Sequence, residues 1–337
     1  MDKHYLNALF QPRTITVFCR SSEIDNPAYQ LTHTFLELLG QTPFTGKLIE
    51  VDLQASVNLS EFAHVQSDLA LIALPPADIE GALTIAGHMG CAAAVVLGTG
   101  IDAKTAQSLH QVARHHGIYM LGPNSMGLQI PRLQLNASTF GPLIGAGPIA
   151  LVSQSGALTA SILDWARQND VGFSQVVALG PNSAVDLSQV LDYLASDPHT
   201  HSVVVYLEGI THARRFMSAM RALANVKPVV VLKSGRKPAG TQAAQTHSGA
   251  IVGSDDVFDA ALRRAGAVRV RSFVQLFSAA KCLASRYRPV GKRLAIITNG
   301  GGPGVLAADW TNEIGLQLGV LGPELAQELR QTLGQGS

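Results

Sequence analysis

With 337 residues, 47% of them hydrophobic and 15% charged, and a net charge of +1 at pH 7, the chain has the apolar content for two or three globular domains and lacks the basic clustering of a nucleic-acid-binding surface. Cys19, Cys91 and Cys282 stand alone, with no C-x-x-C pair, which argues against a disulfide framework or a zinc site and points to a reducing, cytoplasmic setting. The amino terminus, MDKHYLNALFQPRT, has no apolar signal core, and no apolar run approaches the roughly 18 residues that span a bilayer, so neither a membrane nor a nucleic acid is an expected partner.

Short apolar runs alternate with amphipathic stretches along the chain, the pattern of parallel sheets covered by helices on both faces. The runs predict strands over 14–19, 69–75, 92–98, 148–153, 174–180, 202–209, 228–235 and 293–301. Between them ADIEGALTIAGHMG, TAQSLHQVARHHG, LTASILDWARQND, DLSQVLDYLASD and THARRFMSAMRALANV read as helices, several ending in Gly or Asn as helix C-termini prefer. Residues 131–148 are rich in Gly and Pro without clear periodicity, and RYRPVGK (286–292) is a second break. These breaks predict units over 1–135, 146–286 and 291–337. The third opens with a strand, a glycine turn and a helix and has far fewer than the roughly 100 residues of a parallel α/β domain, so it is expected to be the start of an incomplete one, in a fragment or a truncated reading frame.

Several loops carry candidate chemistry. Residues 19–27, CRSSEIDNP, occupy the first strand-to-helix turn, where Arg20, Ser21 and Ser22 are able to contact a phosphate. The glycines of a dinucleotide fingerprint are missing there, which removes the main support for an NAD-linked oxidoreductase. LGPNSMG (121–127) puts Pro123 and Asn124 at the carboxyl edge of the first sheet, where ligands of open α/β sheets bind, although the same residues also make ordinary turns. SQSGALT (153–159) follows a buried strand and opens a helix, which sets Ser153, Gln154, Ser155 and Gly156 at a positive helix end suited to an anion; a plain Ser-capped turn reads from it as well. Glu208 ends the strand VVVYLEG and is either an imidazole-orienting carboxylate or a surface one. TNGGGPG (298–304) repeats the strand–turn–helix pattern without a clear role. His110, His115, His116, His199, His201 and His212 show no metal spacing and are expected to be solvated. The loop GTQAAQTHSGAIVGSDD (240–256) is long for a compact domain and therefore functional or mobile. His247 is its only residue able to serve as nucleophile or general base near neutral pH.

Taken together, GPNSMG, GPIALVSQSGALT, the strand ending in Glu208, KPVVVLKSGR and THSGAIVGSDDVFDAALRRAG resemble, in order and spacing, the nucleoside-diphosphate-forming acyl-CoA synthetases, the superfamily of succinyl-CoA synthetase. LNAS, SILDWARQNDVGFS, LDYLASD and HARRFMSAMRA are similar to the amino-terminal, synthetase-like region of bacterial GNAT-type protein lysine acetyltransferases. The resemblance implies an α/β architecture of a Rossmann-like CoA-binding domain followed by flavodoxin-like parallel domains, the last one truncated. It implies a phosphohistidine at His247, a stabilising carboxylate at Glu208, a phosphate seat at Ser153 to Gly156, and coenzyme A or acyl-CoA near Arg20, Ser21, Ser22, Pro123 and Asn124. No metal is expected on this chain: ATP or ADP and Mg would act only through an ATP-grasp domain or subunit that these residues do not contain, and a homo-oligomer is compatible. Cys19, Arg20 and Ser21 depart from the family's Gly-rich first loop, and KLIEVDL (47–53) lacks the Pro and Asn usual after its second strand. The implied activity is the reaction of acyl-CoA, phosphate and a nucleoside diphosphate to acid, CoA and a nucleoside triphosphate. The alternative is a non-synthetic, acyl-CoA-sensing regulatory region of a protein lysine acetyltransferase without its catalytic domain.

Overall fold

The computed structural model describes residues 4–20, 26–53, 64–98, 100–236, 254–284 and 290–333. His247, Ser21 and Ser22 lie outside the described residues. By chain contacts the molecule divides into two compact units, 1–285 and 286–337.

The first unit contains two sheets. In the first, β1 (Thr14–Cys19), β2 (Lys47–Asp52), β3 (Leu69–Ile72), β4 (Ala93–Leu97) and β5 (Tyr119–Ser125) run parallel in the order β2-β1-β3-β4-β5, the doubly wound arrangement whose switch point falls between β1 and β3. Strands β3 and β4 are buried along their whole length, as expected where helices cover both faces of a parallel sheet. Helices α1 (Asn7–Phe10), α2 (Gln30–Gly40), α3 (Pro76–His88) and α4 (Ala103–His115) belong to this half. Asp102 caps α4 by accepting the Lys104 and Thr105 N–H groups, which satisfies two donors at the helix start.

The second sheet has seven strands. Its parallel part comprises β8 (Ala146–Ser153), β9 (Phe173–Ala178), β10 (Ser202–Leu207), β11 (Val229–Lys233) and β12 (Val268–Val270), in the order β12-β11-β10-β8-β9, the flavodoxin-like order with its switch point between β8 and β10. Helices α5 (Gly156–Gln168), α6 (Leu187–Ser196), α7 (Ala213–Val226), α8 (Asp255–Ala265) and α9 (Phe273–Ala284) accompany it. The edge beyond β9 is completed by an antiparallel hairpin, β6 (Gly127–Ile130) and β7 (Leu135–Ser138). The stretch that reads from sequence as aperiodic thus contributes β7 and the start of β8. What hides the pattern is that this hairpin is buried on both faces and carries polar residues inward: the Gln129 Nε2 donates to Asn136, Ser138 and the Gly141 and Pro142 carbonyls, while its Oε1 accepts from the Ile144 N–H. A polar group sealed inside a sheet is tolerable only when satisfied in this way.

One cluster of buried apolar side chains joins the two halves of the first unit, from Ile15, Leu71 and Val95 through Leu128 and Leu135 to Val177, Val205 and Val231. The second unit holds a two-stranded pair, β13 (Arg293–Leu294) with β14 (Gln317–Leu318), and helices α10 (Gly301–Glu313) and α11 (Pro323–Leu333). The strand expected over 293–301 is therefore two residues long, and Ile297 next to it is exposed. Among the described residues, no helix is long and apolar enough to cross a membrane.

Candidate active site

The carboxyl edge of the second sheet is built from the ends of β8, β9 and β10. Ser153 ends β8, and its buried hydroxyl donates to the Ser155 carbonyl at 2.9 Å while accepting the Ser155 N–H at 3.1 Å. This small ring turns the chain sharply into α5. Ser155 is the N-cap, its hydroxyl accepting the Leu158 N–H at 3.4 Å. The N–H groups of Gly156 and Ala157 have no acceptor among the described residues. Two open donors at a positive helix end form a seat for an oxyanion. At Gly156 a Cβ would fall 1.9 Å from the Met126 sulfur, so a larger residue there would displace the Met126 side chain.

Gln154 connects this helix start to Glu208. Its Oε1 accepts the Glu208 N–H at 2.7 Å and the Gly209 N–H at 3.2 Å, and its Nε2 donates to the Gly209 carbonyl at 3.1 Å. Its own N–H donates to the Tyr206 carbonyl. The Gln154 amide is thus spent on fixing the turn after β10, a positioning role that sequence reasoning did not assign. Glu208 is 6% exposed, and among the described residues nothing hydrogen-bonds its carboxylate.

Glu208 and Gln154 line a cleft of about 240 Å³ together with Gly180, Ser183, Thr211 and His212. Its opposite wall comes from the turn after β9, which is fused to the end of β5. The Ser183 hydroxyl accepts the Gly122 N–H at 2.9 Å, the Ala184 N–H donates to the Gly122 carbonyl, and the Ser125 hydroxyl donates to the Ala178 carbonyl at 2.6 Å. Gly180 sits so close to this turn that a Cβ would fall 1.6 Å from the Asn124 carbonyl oxygen. Pro123 follows a cis peptide bond. Asn124 takes the left-handed conformation at φ 60°, and its side-chain amide is spent on the Ile101 backbone, accepting the N–H at 2.9 Å and donating to the carbonyl at 2.8 Å. His110, expected to be solvated, is half-buried against this turn, its Nε2 lying 2.8 Å from the Asn182 carbonyl.

At the carboxyl edge of the first sheet, the Arg20 guanidinium bonds Asp78 in the first turn of α3 at 3.2 Å, and the Tyr29 hydroxyl donates to the other oxygen of the same carboxylate. The buried Arg20 Nε has no acceptor among the described residues, which suits an anionic group at this edge. Burial and the nearby Asp52 and Glu50 push the Cys19 thiol above its ordinary range, so it is not poised as a nucleophile. Among the described residues, the structure therefore brings Ser153, Gln154, Ser155, Gly156 and Glu208 to one edge and leaves Arg20 at another, with Pro123 and Asn124 in the turn bonded to the 180–184 segment.

Comparisons with known proteins bear directly on this arrangement. Residues 146–283 match the family described as the succinyl-CoA ligase like flavodoxin domain. The chain is 32% identical over 331 residues to the ADP-forming acetate–CoA ligase I α subunit of Pyrococcus furiosus, covering 93% of this chain and 71% of that subunit. This chain belongs to the family of ADP-forming acetate–CoA ligase α subunits.

An ADP-forming acetate–CoA ligase I of Archaeoglobus fulgidus is 37% identical over 272 residues, which is 79% of this chain but 39% of that longer protein. Among solved structures, the dinucleotide-forming acetyl-coenzyme A synthetase 1 of Candidatus Korarchaeum cryptofilum, in complex with phosphate and ADP, superposes with a TM-score of 0.87 at 28% identity, covering 98% of this chain and 74% of that one. The Rossmann-like and flavodoxin-like sheets described above are thus the architecture of this ligase family.

Proposed function

We propose that this chain is the CoA- and phosphate-handling part of an ADP-forming acyl-CoA ligase, converting acyl-CoA, phosphate and a nucleoside diphosphate to acid, CoA and a nucleoside triphosphate together with an ATP-grasp subunit. Residues 1–135 are assigned to a CoA-binding domain, except that β6 (Gly127–Ile130) pairs into the second sheet; 146–286 are assigned to the succinyl-CoA-ligase-like domain with the histidine loop, and 291–337 to the opening of a second flavodoxin-like domain. The observation that carries the reading is the buried, undonated Glu208 carboxylate at the same sheet edge as the open start of α5, with Gln154 bonded across the two. A carboxylate in that position accepts the N–H of one imidazole nitrogen, which orients the ring and leaves the other nitrogen free to take a phosphoryl group, while the open N–H groups stabilise charge on the group in transfer. His247, outside the described residues, is the group we assign to carry it. Coenzyme A is assigned to the carboxyl edge of the first sheet beside Arg20, whose orphaned Nε–H accommodates an anion; Ser21 and Ser22 complete that assignment. ADP and Mg are assigned to the ATP-grasp partner.

The test is direct phosphorylation. Incubation with γ-labelled ATP, Mg and a separately expressed ATP-grasp subunit of this family is expected to place acid-labile phosphate on the chain and to fail with His247→Asn. No labelling, or labelling that survives that substitution, overturns the assignment. The relatives reported above are ligases and synthetases by name, and they do not favour the alternative of an acyl-CoA-sensing region of a protein lysine acetyltransferase.

A further inference from the structure

A separate cavity of about 600 Å³ lies between α4, the amino end of β5 and the starts of α6 and α7. It shares Ser183, Val185, Asp186, Thr211 and His212 with the lining of the Glu208 cleft. Its own character is basic. Arg114 near the end of α4 and Arg215 in the first turn of α7 reach it from helices of the two halves, and His110 and His212 stand beside them. Neither arginine has an ion pair among the described residues. Among the residues lining the cavity the one carboxylate, Asp186, is committed to the start of α6, where it accepts the Gln189 N–H at 2.9 Å while its own N–H donates to the Gln189 Oε1 at 3.0 Å. Asp192, further along α6, is paired with His4 at 3.2 Å. A hollow lined by one sign of charge concentrates ligands of the other. Tyr119, which opens β5, is 37% exposed in the same lining, and the Tyr5 ring braces it at 5.1 Å.

We propose that this cavity binds the diphosphate group of a small phosphorylated ligand, held by Arg114 from one half of the unit and Arg215 from the other. A planar guanidinium presents paired N–H donors that match phosphate oxygens two at a time. Two such forks with an imidazole between them offer more donors than a single phosphate uses, so a diphosphate is the better-satisfied ligand. The volume falls within the roughly 300–1,000 Å³ of pockets for drug-sized ligands, which leaves room for a nucleoside attached to the phosphates. Tyr119 gives such a nucleoside a ring on which its base stacks. The site is distinct from the position assigned to coenzyme A. Tyr119 stands at the amino end of β5, whereas Arg20 follows the carboxyl end of β1, and in a parallel sheet these are opposite edges. It calls on neither His247 nor an ATP-grasp subunit, so it stands independently of the ligase reading.

Isothermal titration calorimetry of the full chain with inorganic pyrophosphate, orthophosphate and ADP, at neutral pH and low ionic strength, tests this. Pyrophosphate is expected to bind at least tenfold more tightly than orthophosphate. Arg114→Gln and Arg215→Gln, both at exposed positions without an ion pair to lose, are each expected to weaken pyrophosphate and ADP at least fivefold. Arg221→Gln removes the same charge from an exposed position of α7 outside the cavity and is expected to change neither. An affinity for ADP at least tenfold above that for pyrophosphate, with the advantage lost in Tyr119→Ala, identifies a nucleoside diphosphate as the source. An affinity for ADP that is no higher, or that Tyr119→Ala leaves unmoved, identifies the diphosphate alone as the recognised group. The site is overturned if pyrophosphate does not bind or binds no better than orthophosphate, if neither cavity arginine alters its affinity, or if Arg221→Gln weakens it as much as they do.

Discussion

At the scale of single residues, the proposed site rests first on Glu208 and Gln154. Gln154 spends every polar atom of its side chain on the backbone of Glu208 and Gly209, so the main chain that carries the carboxylate is held by a neighbouring strand. Glu208→Gln keeps the shape and removes the charge; it is expected to leave thermal unfolding within a degree or two and to slow phosphohistidine formation roughly 10²-fold, the contribution typical of a positioned acid–base group, as read by rapid-quench labelling. A glycine sets the opposite wall. A methyl group at 180 would meet backbone, the Asn124 carbonyl oxygen at 1.6 Å, and backbone cannot swing aside as a side chain does. Gly180→Ala is therefore expected to cost about 2–3 kcal/mol in urea unfolding. Sequence showed Glu208 as a strand-end carboxylate but could not show its burial, and it showed Gln154 only as one letter of an anion motif, because the partner it serves is 54 residues away.

At the scale of elements, the part we assign to the phosphate is the turn from β8 into α5. The Ser153 hydroxyl closes the turn and the Ser155 hydroxyl caps the helix, leaving the Gly156 and Ala157 N–H groups open. Ser155→Ala removes the cap and is expected to cost about 1 kcal/mol of stability, measured by denaturant titration, and to weaken phosphate binding along with it. This turn was legible from SQSGALT, because strand, serine cap and helix period follow one another locally. The β6–β7 hairpin was not. Its first strand, β6, pairs with β9, about 50 residues further along the chain, and its inward polar residues break the alternation on which strand reading depends.

At the scale of the whole molecule, the first unit is held by a core that crosses from one sheet to the other, and the turn bearing Asn182 and Ser183 lies where the two sheets meet. His110 reports on that junction. Burial lowers its pKa below the ordinary value of 6.5, and His116, at the C-cap of the same helix, is lowered for the same reason. The folded state therefore binds fewer protons than the unfolded chain in a window just below pH 6.5. Stability is complete above that value and declines as pH falls through the window. Urea unfolding at pH 7.5 and 5.5 is expected to show that loss, and His110→Gln is expected to make it smaller. Asp102, whose pKa is lowered by its cap bonds to Thr105 and Lys104, adds a separate decline only at more acid pH, below the ordinary carboxylate range.

What the sequence determined by itself was local and periodic. Buried apolar runs gave the parallel strands, capped amphipathic stretches gave the helices, and glycine- and serine-rich turns marked where an anion could rest, since each depends on residues only a few positions apart. Tertiary structure alone decided which of those turns share an edge. It placed the undonated Glu208 carboxylate beside the start of α5, committed the Asn124 amide to Ile101 and the Arg20 guanidinium to Asp78, and brought Arg114 and Arg215 to one cavity. Burial and pairing are properties of residues distant along the chain, and they emerge only when the sheets close over them.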